Sequence, residues 1–440
     1  MSYDIHYIDE LKLLLLTNKV NSINLSLYYT EINTKNITIT TNFLKNNFHL
    51  MTKTLDSNWI NEIKALSHVL MTNYTLTKLT LSYKWKNNDG LHELINALNN
   101  NTTIIKLNFD NSFIADKCVI ALADMLTINT TITKLKLPEY IHTEDDVIMS
   151  TTEYNETPNN KLNILFDALK VNSTLTTLNL SSNHILHSEL PKLIDMLNIN
   201  SNITKLNLSY CDCYNTNQDL ILVKVLSNFL KNNSTLLSLN LSYSNEDLND
   251  LLDTLKVNST LTDLNISHNS LRYTDKLITL SDALVVNSTL TKLNLSNNFI
   301  INDEFWALYS ALTFNSTLTE LNLSNNAITT DRLLMFSWIL QKNSTLIKLD
   351  LSWDECIRCS YRGVKAILDA LALNTTLTEL ILPDRKKSYY DLNEDATSEY
   401  EYSDDEDAYC NGAAYSDEDA YCNGAAYSDE DAYCNGAYSD

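Results

Sequence analysis

Few residues in this sequence have types and spacing suited to chemistry. Cys356-Ile-Arg-Cys359 is a Cys-x-x-Cys pair, the spacing used in thiol–disulfide exchange and in one half of a tetrahedral zinc site. Structural zinc needs a second ligand pair close by, and Cys211 and Cys213 stand far upstream. Redox activity needs a thioredoxin-like βαβ context, which the flanking residues do not form. These cysteines are therefore expected to be unpaired thiols. The His, Ser and acidic side chains are scattered without a nucleophile elbow. With only 5 Gly in the chain, no Gly-rich loop is available to cradle phosphate. Many Asn-x-Ser/Thr triplets match the glycosylation acceptor, but they arise from a repeated Asn-Ser-Thr, and no export signal accompanies them. The residues predict no enzymatic activity, no metal and no cofactor.

The formal charge of −23 is unevenly spread. Residues 388–440 hold 16 Asp or Glu and no Lys or Arg, which leaves −7 on residues 1–387. A moderately acidic body lacks the concentrated basic surface that nucleic acid or an anionic membrane requires. The N-terminus, Met-Ser-Tyr-Asp-Ile-His-Tyr-Ile-Asp-Glu, is acidic before the short apolar run Leu13–Leu16, whereas a secretory signal starts basic and has a longer apolar stretch. No segment approaches the ~20 apolar residues of a membrane span. The expected location is intracellular, in the cytoplasm and not secreted, with all eight cysteines reduced.

The elements that carry the polar residues follow from a repeat. Eleven segments share Asn-Ser/Thr-Thr-Leu-Thr-x-Leu-x-Leu with small variations, starting at Asn73, Asn101, Asn129, Asn172, Asn200, Asn233, Asn258, Asn287, Asn315, Asn343 and Asn374. The commonest spacing is 28 residues, a period that signals stacked units and not one enlarging core. In Leu290-Thr-Lys-Leu293-Asn-Leu295, the two-residue step puts Leu293 and Leu295 on one side of a short strand. Apolar residues also recur seven and three positions before each starting Asn, as in Leu280/Leu284, Leu308/Leu312 and Phe336/Leu340. That i, i+4 step marks one face of a helix. The starting Asn then falls where the helix stops, a position suited to its local hydrogen bonding and to its tolerance of φ > 0. Neither strand nor helix can bury its apolar face alone, so stacking must supply the missing surface.

This pattern resembles the ribonuclease-inhibitor-like subclass of leucine-rich repeats. Its Leu-x-x-Leu-x-Leu-x-x-Asn-x-Leu/Ile segment runs from Leu175 to Ile185, Leu261 to Leu271, Leu290 to Ile300 and Leu318 to Ile328, and Cys211 stands at the Asn place of another copy. The glycine that the subclass carries eleven residues before the next Asn remains only as Gly90 and Gly363. High Asn, Ile and Thr usage also resembles leucine-rich-repeat proteins of AT-rich genomes, large DNA viruses of amoebae among them. The resemblance implies an α/β solenoid with a curved parallel sheet inside, helices outside, and a protein partner on the concave face. It implies a degenerate repeat region and N-terminal cap over 1–59, a solenoid of about eleven repeats over 60–387, and an insertion near 138–158 in a loop after the third strand. Ran GTPase-activating proteins use the same subclass, which raises a second reading as a regulator of a small GTPase, with Arg272 as the candidate loop arginine.

Residues flanking Leu-x-Leu should form columns on the concave face. The preceding position holds Lys78, Lys106, Lys134, Thr177, Lys205, Ser238, Asp263, Lys292, Glu320, Lys348 and Glu379. Asp263 to Glu379 alternate in sign and read as a self-neutralising ladder of exposed pairs, each worth little. Lys78, Lys106 and Lys134, with Lys205 beyond them, have no such partner in the column and form a candidate docking patch for a partner with an acidic surface. Asn108, Asn179, Asn207, Asn240, Asn265, Asn294 and Asn322 fill the position inside Leu-x-Leu, where amides at strand spacing could bond along the column.

Residues 388–440 carry Glu-Asp-Ala-Tyr-Cys-Asn-Gly-Ala-Ala-Tyr-Ser-Asp with a period of 12, starting at Glu406, Glu418 and Glu430, the last copy one Ala shorter. Low hydrophobicity and high charge predict a disordered acidic tail. Ser403, Ser416 and Ser428 precede acidic clusters and resemble casein-kinase-2-type phosphorylation sites. Such a tail is expected to compete with an acidic partner for the lysines, more strongly when phosphorylated and less at high salt.

Overall fold

The computed structural model describes residues 2–5, 22–25, 67, 70, 71, 77–82, 91–110, 114, 116–138, 161–183, 185, 189–211, 221–244, 247–271, 274–300, 305–326, 328–352 and 361–382. The chain divides into two units, Met1–Arg385 and Lys386–Asp440, and the second lies outside the described residues. Near the N-terminus, strands β1 (Ser2–Ile5) and β2 (Ser22–Leu25) pair in parallel, Ser2 with Ser22. The main sheet has 11 strands, β3 (Lys78–Ser82) through β13 (Glu379–Ile381), in strict chain order. Every neighbouring pair is parallel and unshifted, so Lys78 stands beside Lys106, and Lys292 beside both Asp263 and Glu320. Parallel neighbours demand a crossover, and helices supply it, among them Lys161–Val171, Leu190–Ile199, Phe305–Phe314 and Thr330–Lys342.

The periodicities read from the sequence become one continuous core. Leu264, Leu293 and Leu321 sit side by side at 0–2% exposure, and Leu280, Leu284, Leu308, Leu312, Phe336 and Leu340 close the helical side at 0–1%. Strand and helix thus bury their leucines against each other and against the adjoining repeats. These described residues form a leucine-rich-repeat solenoid.

Of the two properties that suit asparagine to the helix end, the starting asparagines use local hydrogen bonding and not the left-handed backbone. Asn101, Asn200 and Asn343 have φ of −74°, −81° and −74° with extended ψ, so they do not use the left-handed region. Their value lies in the amide, as Asn200 shows. Its Oδ1 accepts from the backbone N–H of Asn202 and Ile203 (2.9 and 3.1 Å), while Nδ2 donates to the carbonyls of Leu169 and Asn172 in the previous repeat (2.6 and 2.9 Å). One buried side chain therefore turns the chain from helix to strand and fastens two repeats together. Asn129, Asn287 and Asn343 make the same four contacts.

Left-handed backbone appears instead in the turn after six of the strands, at Ser182, Tyr210, Tyr243, His268, Asn297 and Asn325, with φ between 55° and 59°. The glycine-poor chain places Ser, Tyr and His there as well as Asn. Each of these turns is held by the next repeat, because His268 N–H donates to the Ser296 carbonyl (3.0 Å) and Asn297 N–H to that of Ser324 (3.0 Å). At the consensus Asn place, Asn298 is fully buried; its Oδ1 accepts from Asn269 N–H (2.7 Å) and its Nδ2 donates to the Ile266 carbonyl (2.9 Å). Cys211 fills the same place, donating through Sγ to the Leu180 carbonyl at 3.2 Å.

Gly363, in helix Tyr361–Leu371, lies where a Cβ would stand 3.1 Å from both Cβ and Cδ1 of Leu333 and 3.3 Å from the Thr330 carbonyl. Gly363→Ala should lower stability by about 1–2 kcal/mol, overpacking outweighing the ~1 kcal/mol gain in helix propensity. A denaturant midpoint equal to or above wild type would show that the two helices can separate without loss. Gly90, residues 139–160, Arg272, Cys356 and Cys359 lie outside the described residues.

Candidate functional site

The unshifted pairing turns sequence positions into columns on the solvent-facing side of the sheet. The first column begins Lys78, Lys106, Lys134, Thr177, Lys205 and contains no carboxylate before Asp263. Lys134 and Lys205 are exposed and Lys78 half-exposed. The second half of the column resolves into discrete pairs. Lys292 Nζ meets Glu320 and Lys348 Nζ meets Glu379, each at 2.5 Å, while Asp263 accepts a hydrogen bond from Ser238 at 3.0 Å. The hydrogen bond to Glu320 raises the Lys292 pKa above the ordinary lysine value, and Glu379 does the same for Lys348. The alternating column thus forms two ion pairs and one hydroxyl–carboxylate hydrogen bond.

The amide column inside Leu-x-Leu does not bond along itself. Asn179, Asn207, Asn240, Asn265, Asn294 and Asn322 each accept the backbone N–H two residues onward at 2.8–3.0 Å. A strand this short needs its turn begun immediately, and an Asx-type contact does that.

A third column, not anticipated from the sequence, lies at the ends of the strands. Tyr210, Tyr243 and His268 occupy the left-handed turn position in three successive repeats. Tyr210 and Tyr243 stack with ring centroids 4.0 Å apart and planes 16° apart, and Tyr243 and His268 at 3.8 Å and 14°. Non-glycine residues at positive φ are uncommon, aromatic ones more so. Here the repeat-to-repeat hydrogen bonds from Tyr210 and Tyr243 N–H to the carbonyls of Ser242 and Ser267 (3.0 and 3.1 Å) fix the backbone that allows it. Burial, helped by a hydrogen bond with Tyr243, pushes the Tyr210 phenol up to about 12, and burial lowers the His268 pKa. A signal was present: all three residues stand ten positions after their starting Asn.

Among the described residues, no group of three or more His, Cys, Asp or Glu could hold a metal ion, and no helix is long and apolar enough to cross a membrane. Cys118 and Cys211 are buried thiols. Ser403, Ser416 and Ser428 lie outside the described residues, as does the loop arginine on which a GTPase-regulating role would turn.

No known family model matches the sequence, and no curated protein matches it. Among solved structures, the chain is similar to the Rad7 and Elc1 complex in yeast (17% identity over 81% of this chain and 86% of that one, TM-score 0.48). It is also similar to the leucine-rich-repeat-containing protein LegL7 from Legionella pneumophila (19% identity, 76% and 91% of the two chains, TM-score 0.42). An internalin from Listeria monocytogenes is another (17% identity, 76% and 78%, TM-score 0.37). The strands, turns and buried leucines of this chain define its fold independently of these likenesses.

Proposed function

We propose that this protein is a non-enzymatic interaction scaffold that holds an acidic segment of a partner protein along the sheet face, at Lys78, Lys106, Lys134 and Lys205. The observation that carries this reading is the unequal treatment of charge in one column of side chains. Its second half pairs Lys292 with Glu320 and Lys348 with Glu379, whereas its first half places Lys78, Lys134 and Lys205 in the column with no carboxylate in register beside them. The helical side also neutralises itself: Lys170 bridges Asp167 and Asp195 at 2.9 and 2.6 Å, and Lys192 reaches Asp167 at 2.6 Å. In a chain of net charge −23, a run of lysines on the sheet is complementary to a negatively charged partner and steers its approach. Helices of 13 residues at Asp116–Ile128, Thr274–Val286 and Thr330–Lys342 support reading the units as ribonuclease-inhibitor-like.

The test is fluorescence anisotropy of a dye-labelled acidic peptide, alternating Glu and Asp with a central Ala, titrated with the full-length chain. Lys134→Glu combined with Lys205→Glu should weaken binding by about tenfold at low ionic strength and by less at high, where screening shortens the reach of charge. Binding unaffected by the double substitution would place the acidic partner elsewhere.

A further inference from the structure

Among the described residues, the aromatic column ends at Tyr210 without a further ring. Three rings follow each other at 3.8–4.0 Å from Tyr210 to His268. At the His268 end, the next turn position holds the half-buried amide of Asn297. At the Tyr210 end, the preceding turn position is Ser182, with the same left-handed backbone (φ 59° against 55°) but a hydroxymethyl group where the next two repeats carry a phenol. Ser182 N–H donates to the Ser209 carbonyl at 2.9 Å, as Tyr210 N–H does to that of Ser242, so the ladder is continuous in backbone and interrupted only in side chain. Tyr210 remains 50% exposed. Tyr243 stacks on one face of its ring, and among the described residues the next turn position on the other side holds Ser182.

We infer that the shelf over Ser182, against the ring of Tyr210, receives one aromatic side chain of the acidic partner segment, which continues the stack by one ring. The inference rests on the sheet-face reading above and names the second determinant of that site. Stacking at this spacing suits any planar π group. The lysines decide between planar groups: Lys205 belongs to the Tyr210 repeat and Lys134 lies two strands away, so a guanidinium is repelled while an aromatic ring flanked by carboxylates is drawn in. Tryptophan and tyrosine fit both requirements. Ser182 and Tyr210 would then set which acidic segments bind, while the lysines attract acidic segments in general.

The experiment uses the full-length chain and two dye-labelled peptides, Glu-Asp-Glu-Trp-Glu-Asp-Glu and the same peptide with Ala at the centre. Wild type should bind the Trp peptide about fivefold more tightly, the weight of one aromatic pair. Ser182→Tyr should fold normally, because Tyr occupies that backbone conformation in the next two repeats, and its own ring should fill the shelf. It should reduce the Trp peptide to the affinity of the Ala peptide and leave the Ala peptide unchanged. Tyr210→Leu should do the same by removing the stacking face. Lys134→Glu with Lys205→Glu should weaken both peptides and keep their ratio. Equal wild-type affinities, or a Trp advantage that survives Ser182→Tyr, overturns the shelf while leaving the lysine reading intact if the Ala peptide still binds in a salt-dependent way. Failure of both peptides overturns the lysine reading and the shelf with it, and tighter binding of oligo(dT) than of either peptide replaces the protein segment with single-stranded nucleic acid.

Discussion

Leu293→Ala should lower the stability of the folded chain by about 2–5 kcal/mol, the range for a buried leucine truncated where neighbours cannot collapse into the cavity. Leu293 is 2% exposed and stands between Leu264 and Leu321 in unshifted parallel strands. The cavity therefore opens on the repeats to either side. In a stacked array each unit is held by its neighbours, so the loss should extend beyond the eighth repeat. Hydrogen exchange would read it as faster exchange in the strands Asp263–Asn265 and Glu320–Asn322, together with a lowered denaturant midpoint. A wild-type midpoint would mean that the leucine seam contributes little, and protection lost only in the mutated repeat would mean that the units do not share one core.

Asn287→Ala should be nearly as damaging, at about 2–4 kcal/mol, because it strands buried backbone groups and does not merely remove atoms. Asn287 accepts from the N–H of Thr289 and Leu290 (3.0 and 2.8 Å) and donates to the carbonyls of Leu255 and Asn258 (2.7 and 3.2 Å). Alanine satisfies none of them, and no water replaces an amide readily at a position only 6% exposed. Two comparisons separate this cause from general fragility. Ser288, next door and exposed, should tolerate alanine within about 0.5 kcal/mol. Asn233 turns its Nδ2 to Thr235 Oγ1 at 3.0 Å within its own repeat, so Asn233→Ala should cost less than Asn287→Ala. Equal losses at 233 and 287 would show that the contact to the previous repeat adds nothing.

Much of this molecule was determined by the sequence itself, for a physical reason peculiar to repeats. When one unit recurs, the offset of a residue from its starting Asn fixes its place in the stack. The buried leucines, the helix face at Leu308 and Leu312 and the order of the lysine column were therefore legible in the sequence. The tertiary structure decided what depends on contact between units. Asparagine at the helix end suits either local hydrogen bonding or a left-handed backbone; Asn101, Asn200 and Asn343 are extended, and the amide of Asn200 also reaches the preceding repeat, because four buried backbone groups there outweigh a conformational preference. Lys292 stands in register with both Asp263 and Glu320, and only side-chain geometry made Glu320 its partner while Ser238 took Asp263. Tyr210, Tyr243 and His268 share an offset that the sequence displays, yet their offsets could not show that the rings lie flat against one another. Stacking at 3.8–4.0 Å is closer than the ~4.8 Å between neighbouring strands, so the rings must lean together across the repeat spacing. That approach depends on ring tilt at the strand ends, which a one-dimensional pattern does not contain.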